Sequence, residues 1–170
     1  MLFENGGEGS IKMVCPQDNG TANIFITCVD SVSARKEIAE VLMGFYKQNS
    51  QGRYRPFYWM DYGNSRYTGQ VMLSTIGEIE QPKSKLYRPI GKLPFLTDEF
   101  ADLLESSEAQ DDTPSCSHRE ALEKQDLFIN GALVQFGSTM LLHLFRNMMI
   151  SSRGVFMNLA DYKTQPLAVG

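Results

Sequence analysis

The feature that most constrains the fold is an apolar segment that ends at an acidic residue and is followed by an amphipathic segment. Residues 22–29 are rich in apolar and β-branched side chains and predict a buried strand, which ends at Asp30. Residues 32–48 predict a helix, because apolar side chains recur at helical spacing on one stripe, comprising Ile38, Leu42 and Phe45. A carboxylate at the carboxyl end of a buried strand lies where open α/β sheets bind ligands.

Size, composition and charge restrict the class of protein. The 170 residues suffice for one domain with a sizeable core, and the 42% hydrophobic and 21% charged content is ordinary for a globular protein. A net charge of −4 argues against nucleic acid as the main partner. No apolar run is long enough to span a membrane, and the N-terminal residues lack the apolar core of a signal peptide. We therefore expect a cytoplasmic protein with no membrane partner, in which the three widely spaced cysteines are reduced thiols.

Further strands are predicted on both sides of a long polar stretch. Residues 54–62 are aromatic and β-prone, 63–65 predict a turn, and 66–76 predict the next strand. Near the C-terminus, GVFMNLADYKTQPLAV predicts two short strands with a turn at about 160–162. Between them, prolines predict an extended loop over 77–97.

Helices and acidic loops are predicted around these strands. A short helix is expected over 98–106 with Thr97 as its N-cap, and a second helical region from about residue 118, with a break near 126–130. Residues 98–112 hold seven acidic residues and no basic one, so we expect a mobile acidic loop at 105–117. Residues 1–21 are rich in Gly, Asn and Asp and are interpreted as a loop-like segment before one domain over 22–170.

Two motifs resemble the ThiF/MoeB family of adenylating enzymes, which are related to the ubiquitin-activating enzymes. The first is the C-x-D-x-x-x-x-R pattern of Cys28, Asp30 and Arg35. The second is DYGNSRYTGQVML over 61–73, in which Gly63 and the GQV at 69–71 match a strand, glycine turn and strand. Two further pieces are most similar to the ThiF family of the plasmid-associated PRTRC system, namely PSCSHREALEKQDLFIN and RGVFMNLADYKTQPL.

The resemblance covers roughly residues 22–169 and corresponds to the second half of a ThiF-like domain. It implies an α/β fold in which a mixed β-sheet is flanked by helices, without the Rossmann-type N-terminal half that carries the G-x-G-x-x-G loop. The GGEG at 6–9 follows no predicted strand and is not such a loop. The chain is interpreted as a truncated gene product or an excised fragment.

The implied activity is ATP-dependent adenylation of the C-terminus of a ubiquitin-like or sulfur-carrier protein, with ATP and magnesium as cofactors. A homodimer is implied as well. Whether the chain is an active enzyme stays open, because the missing glycine loop is the main phosphate cradle and we expect impaired activity of the chain alone. The alternative is a non-catalytic module for dimerisation or for docking a ubiquitin-like protein. No zinc is expected, since the chain has no C-x-x-C pair.

Three residues are candidates for the site. The family match implies that Asp30 binds magnesium with ATP, whereas by position alone it could cap the following helix, as could Ser31 or Ser33. Arg35 is implied to support the fold or to contact the nucleotide, and the alternative is a surface arginine paired with a nearby Glu. Cys116 lies in P-S-C-S, similar to the P-x-C-T of the thioester cysteine in ubiquitin-activating relatives, and its alternative is an incidental loop cysteine.

Overall fold

The computed structural model of the protein describes residues 2–6, 10–14, 22–48, 55–110 and 126–170. Its strands are β1 (Leu2–Gly6), β2 (Ser10–Val14), β3 (Ile24–Cys28), β4 (Tyr58–Asn64), β5 (Thr68–Thr75), β6 (Ser152–Asn158) and β7 (Lys163–Ala168). Its helices are α1 (Val32–Gln48), α2 (Leu96–Glu99), α3 (Ala101–Gln110) and α4 (Ile129–Asn147).

The main sheet has five strands in the order β3-β4-β5-β6-β7. Strands β3 and β4 are parallel and are joined by α1, while the three other neighbouring pairs are antiparallel. A parallel pair needs a crossover connection, and the helix predicted between the first two strands supplies it. The expectation of an α/β fold with a mixed sheet and flanking helices is therefore confirmed.

Helices cover both faces of this sheet. Successive side chains of a strand point to opposite faces, so neighbouring residues of β4 enter different cores. Met60 packs with α4, in a cluster with Val71, Leu73, Ile129, Leu133, Met140, Val155 and Met157. Trp59 packs with α1 on the other face, in a cluster with Phe25, Ile38, Leu42, Ile76 and Phe95. A third cluster joins α1, β5, α2 and α3 through Val32, Met72, Leu96 and Leu104.

The segment from β3 to α1 follows the sequence closely, with one difference in burial. Helix α1 has the predicted bounds, and the Ser31 hydroxyl caps it by accepting a hydrogen bond of 3.2 Å from the Ala34 amide. Strand β3, however, lies at an edge of the sheet and is buried on one face only. Phe25 and Thr27 are buried, whereas Ile26 is 51% exposed. The prediction of a buried strand therefore holds for one face only, because an apolar run does not reveal an edge position.

The β4–β5 hairpin is confirmed, but its turn lies slightly later than predicted. Strand β4 continues to Asn64, and the chain reverses between Ser65 and Thr68, where the Ser65 amide donates to the Thr68 carbonyl at 2.9 Å. Gly63 therefore belongs to the strand rather than to the turn. The C-terminal hairpin of β6 and β7 is confirmed as well.

The predicted loops contain more regular structure than their composition indicates. Strands β1 and β2 pair as an antiparallel hairpin, so residues 1–21 are not loop throughout, because the apolar residues on either side of the GGEG form a hairpin pattern. Residues 105–110, expected in the acidic loop, belong to α3, whose Glu105 pairs with Lys36 of α1 at 2.9 Å. The remainder of that loop, 111–117, lies outside the described residues.

The first helix after β5 begins at another residue than predicted, whereas the predicted break before the last helix is confirmed. Residue Phe95 is the N-cap of α2, and Thr97 is buried within the helix rather than capping it, because Leu96 already enters the apolar core. The glutamate Glu99 of α2 pairs with the buried Arg153 of β6 and so anchors this helix to the sheet. The break predicted near 126–130 is present as a turn at 127–128, after which α4 begins at Ile129. Residues 118–125, where the helical region was predicted to start, lie outside the described ranges. None of the helices in the described part of the chain is long and apolar enough to cross a membrane.

Candidate functional site

The candidate site lies at the carboxyl ends of the two parallel strands. Parallel pairing brings the end of β3 beside the end of β4, with Thr27 opposite Asp61 and Cys28 opposite Tyr62. The loop Val29–Ser31 leaves β3 here and enters α1. This is the edge at which open α/β sheets bind ligands, so the two sequence-predicted residues Asp30 and Arg35 lie at the expected place.

Arg35 is buried beneath this loop and connects it to β4. Its side chain is 4% exposed, and its Nε donates to Asp61 Oδ2 at 2.8 Å. Its Nη1 donates to the Asp30 carbonyl at 3.4 Å, and its Nη2 donates to the carbonyls of Val29 and Tyr62. The alternative of a surface arginine paired with a glutamate is wrong, because the first turn of α1 faces the sheet edge here. The guanidinium instead fixes the backbone that carries Asp30.

Asp61 is the residue of this site that sequence reasoning missed. The Asp61 carboxylate accepts hydrogen bonds from Arg35 and, through Oδ1, from the Thr27 hydroxyl at 2.7 Å. The Thr27 oxygen in turn accepts a hydrogen bond from Trp59 Nε1 at 2.8 Å. The signal was present in the sequence, since an aspartate within the apolar and aromatic run YWMDY must be paired if that run is a buried strand.

Burial dominates the electrostatics of Asp61. The loss of hydration raises the pKa of the Asp61 carboxyl, while the Arg35 charge and the hydrogen bonds from Thr27 and Arg35 act in the lowering direction. The Asp61 carboxylate therefore depends on its partners to stay charged, and the Arg35 charge is the strongest of the interactions that lower its pKa. This dependence makes Arg35 and Asp61 one unit in which neither charge is well tolerated without the other.

Gly63 and Gly69, which belong to the second ThiF-like motif, lie where a larger residue would not fit. A Cβ on Gly63 would overlap with Nη2 of Arg35 and with Nε2 of Gln70. A Cβ on Gly69 would lie 2.7 Å from Leu133 Cδ1 and 2.9 Å from the Gly63 carbonyl oxygen, so it would collide with α4 and with the neighbouring strand. At both positions a neighbouring side chain or strand approaches too closely for a larger residue, and Gly63 makes room for Arg35.

Asp30 presents its carboxylate at the surface of this edge. The residue is exposed, and its side chain has no hydrogen-bond partner among the residues that the structure describes. The helix cap that was the alternative role for Asp30 is supplied by Ser31. Asp30 thus has a solvent-facing carboxylate, while its main-chain carbonyl accepts a hydrogen bond from the buried Arg35.

Cys28 lies at this edge of the sheet, at the end of β3. Its position in an apolar strand predicts a small buried residue, but Cys28 is exposed, because nothing within the described ranges covers this face of the edge strand β3. Partial burial and then the Asp61 charge raise the pKa of the Cys28 thiol, against the opposing influence of Arg35. Cys116, the predicted thioester nucleophile, lies outside the described residues.

The carboxylate at this edge suits a cation whose other ligands are water and phosphate oxygens. No group of three or more His, Cys, Asp or Glu side chains that could hold a metal occurs in the part of the chain that the structure describes. Magnesium in nucleotide sites, however, is commonly held by one or two carboxylates, several waters and the phosphates of the substrate. The single exposed carboxylate of Asp30 fits that mode of binding.

Comparisons with known proteins do not assign the chain to a family. No protein-family model matches the sequence, and no curated protein matches it either.

Proposed function

We propose that the chain is part of a ThiF-like adenylating protein, in which Asp30 helps to hold ATP·Mg²⁺ while the C-terminal carboxylate of a ubiquitin-like or sulfur-carrier protein is activated. The observation that supports this best is the exposed Asp30 carboxylate at the end of a parallel strand, on a loop held by the buried Arg35. The proposal extends the resemblance of the C-x-D-x-x-x-x-R and GQV motifs to the chemistry of this edge.

Each residue has a distinct part in this proposal. Asp30 would be a ligand of magnesium, directly or through water, and the ion would neutralise phosphate charge as the carboxylate attacks the α-phosphorus and pyrophosphate leaves. Arg35 is a positioning residue, because its donors are directed to Asp61 and to three main-chain carbonyls. It keeps the main chain at Asp30 in place, so that nucleotide binding costs little conformational entropy there.

Cys116 remains a candidate nucleophile for a subsequent thioester. In this step the Cys116 thiolate would attack the adenylated carboxyl carbon, forming the thioester and releasing AMP. If Cys116 lacks this role, the protein would pass on the adenylated carboxylate as the simpler ThiF/MoeB proteins do.

The absence of a G-x-G-x-x-G loop from the sequence predicts weak nucleotide binding by the chain alone. Isothermal calorimetry of ATP·Mg²⁺ with the 170-residue chain should show no binding in the micromolar range. Micromolar affinity would contradict the assignment of this chain to the half of the domain that lacks the phosphate cradle.

The role of Asp30 is tested in a chain restored by fusion to an N-terminal half from a ThiF-family protein. Asp30→Ala should abolish ATP–pyrophosphate exchange and leave the melting temperature unchanged, since its exposed side chain makes no hydrogen bond or ion pair with the residues that the structure describes. The matched control is Asp102→Ala, which removes an exposed carboxylate of α3 and should keep normal exchange. Normal exchange in the Asp30 variant would refute the proposed role.

A second candidate function is supported by the free edge of β3. Within the described part of the chain β3 pairs only with β4, and Ile26 on this strand is exposed. Exposed edges bind extended segments of other proteins by adding a strand, so the chain could serve as a non-catalytic docking module. If the β3 edge is the docking site, Ile26→Pro should abolish binding of a ubiquitin-like protein, whereas Asp30→Ala should retain it. Equal binding by the two variants would exclude this edge as the docking site.

A further inference from the structure

A long loop connects β5 to α2, and we call its residues 79–92 the basic loop. The Ile79 amide donates to the Gly91 carbonyl at 2.8 Å, so the two ends of the loop are joined at its base. Next to this closure, the Thr75 amide donates to the Leu93 carbonyl at 3.1 Å, and the Leu93 amide donates to the Thr75 hydroxyl at 2.9 Å. Compact surface loops whose ends lie close together frequently carry a function.

The basic loop presents positive charge and two large apolar side chains to solvent. All residues over 82–89 are exposed. Leu86 is 87% exposed and Tyr87 58%, although neither side chain is hydrated as favourably as a charged one. Near them in the loop are four exposed basic residues that form no ion pair with any residue that the structure describes, namely Lys83, Lys85, Arg88 and Lys92. Tyrosine and arginine are enriched at protein–protein interfaces, so this composition indicates an interaction surface.

Local hydrogen bonds and prolines order the backbone of the basic loop. The Ser84 hydroxyl accepts hydrogen bonds from the Leu86 amide at 3.2 Å and from the Tyr87 amide at 3.0 Å. Pro82 and Pro89 lie on either side of this turn and restrict φ at both positions. Because the backbone is already ordered, a partner that binds Leu86 and Tyr87 loses less affinity to the entropy of ordering the loop.

We propose that the basic loop binds an acidic segment of a partner protein, with Leu86 and Tyr87 packed against apolar side chains of that segment. Carboxylates of the segment pair with Lys83, Lys85 and Arg88, for which the described part of the chain supplies no counter-charge. The arrangement has the anatomy of a small interface, in which an apolar centre is surrounded by charged residues. The complementary charges accelerate association and exclude basic partners.

The charge around the basic loop favours a protein segment over a membrane surface or a nucleic acid. Glu78 and Glu80 are exposed at the start of the loop. Helices α2 and α3, which follow the loop, add further acidic residues, namely Asp98, Glu99, Asp102 and Glu105. An extended polyanion that covers the loop meets this negative charge, whereas a short segment fits within the basic residues. A phosphate backbone also offers Leu86 no apolar contact.

The base of the basic loop lies at the opposite edge of the sheet from the candidate site. The loop follows Thr75, which pairs with Tyr58 at the start of β4, whereas Asp30 lies at the edge where β3 and β4 end. The seven residues of β4 separate the two edges by about 20 Å, at about 3.3 Å per residue. The inference therefore depends neither on the proposed adenylation nor on the free edge of β3, and its failure and theirs are distinguishable.

Fluorescence anisotropy with the full chain tests the proposal. The probe is a labelled synthetic peptide in which a leucine follows every two acidic residues, and the control peptide has Asn and Gln in place of Asp and Glu. The acidic peptide should bind, and the neutral peptide should bind at least about tenfold more weakly, because only the acidic one pairs with the cations of the loop. Raising the salt concentration from about 0.1 M to about 1 M should weaken binding of the acidic peptide, since the Debye length falls from about 10 Å to about 3 Å.

Variants of the chain locate the binding surface. Lys85→Glu/Arg88→Glu should raise the Kd of the acidic peptide at least about tenfold, and Leu86→Ser should raise it about tenfold because it removes the apolar contact. The matched control is Arg66→Glu/Lys163→Glu, which reverses two exposed charges at the opposite edge of the sheet and should change the Kd less than about threefold. Far-ultraviolet circular dichroism of all variants should be the same, because each substituted side chain is exposed.

Several results would overturn the proposal. Absence of binding by the acidic peptide, or equal binding by the neutral peptide, would show that the loop does not recognise an acidic segment. An equal loss of affinity in the matched control, or an unchanged Kd for Leu86→Ser, would reduce the binding to non-specific charge attraction. Tighter binding of phosphatidylserine vesicles or of polyuridylate than of the acidic peptide would assign the loop to a membrane or to a nucleic acid instead.

Discussion

The buried pair of Arg35 and Asp61 should dominate the stability of the candidate site. Replacing Arg35 with Met keeps most of the aliphatic volume but removes the counter-charge of Asp61 and four hydrogen bonds. Breaking a buried ion pair from one side costs about 3–5 kcal/mol. We therefore expect Arg35→Met to lower the free energy of unfolding by that amount, and Asp61→Leu to have a comparable effect because it leaves the guanidinium unpaired.

An exposed ion pair of the same protein provides the control. Lys36 and Glu105 are paired at 2.9 Å, but their side chains are 52% and 59% exposed. Surface pairs contribute about 0–1 kcal/mol, so Glu105→Gln should leave stability nearly unchanged. Each pair joins one positive and one negative side chain, so the difference in unfolding free energy between the two sets of variants measures the effect of burial.

The pH dependence of Arg35→Met follows from the direction of the Asp61 pKa. Burial already raises the pKa of Asp61, and loss of the Arg35 charge should raise it further. An acid whose pKa is higher in the folded than in the unfolded protein favours folding when protonated. The loss of unfolding free energy in the variant should therefore be smallest below the unfolded pKa of about 3.9, where only the hydrogen bonds to main-chain carbonyls are missing, and should grow as the pH rises through the folded pKa.

Urea unfolding at constant m-value measures these differences, and the double variant Arg35→Met/Asp61→Leu completes a cycle. Because it leaves neither charge buried without its partner, the double variant should be less destabilised than the sum of the single changes by about 0.5–3 kcal/mol. A loss below about 1 kcal/mol in both single variants, additive effects in the double variant, or a deficit that shrinks with rising pH would refute the reasoning.

Two further changes test the packing and the thiols. Gly63→Ala should lower the free energy of unfolding by about 1–3 kcal/mol, because its Cβ would displace the fixed Arg35 guanidinium, whereas Gly44→Ala, with open space in α1, should raise it by about 0.5–1 kcal/mol in the same denaturation assay. At pH 7 Cys28 should react with iodoacetamide more slowly than an ordinary exposed cysteine and should gain rate with rising pH, since burial and Asp61 raise the pKa of its thiol. If Cys116 is the thioester nucleophile at a helix start, it should be alkylated faster than Cys28, as measured by peptide mass spectrometry. In the restored protein, Cys116→Ser should still adenylate the partner but should form no thiol-sensitive conjugate. Slower alkylation of Cys116 or a persistent conjugate would contradict this role.

Local elements could be predicted from the sequence because their signals are local. The bounds of α1, its cap near Ser31 and the three-part pattern of β3, loop and α1 follow from periodicity and capping chemistry over a few residues. The two hairpins of the main sheet follow from β-prone runs interrupted by turn residues. The position of Asp30 at the end of a strand is equally a property of this short stretch.

Only the tertiary structure decided which residues complete the site and which surfaces stay open. Asp61 is 26 residues from Arg35 in sequence, and their contact exists because parallel pairing of β3 with β4 places Thr27 opposite Asp61 while α1 returns above them. The same pairing leaves β3 at an edge, which exposes Ile26 and Cys28 although their segment is as apolar as a central strand. A sequence pattern records which residues prefer burial, but the neighbours that a strand or helix face acquires depend on sheet order and packing, and these arise from contacts between distant parts of the chain.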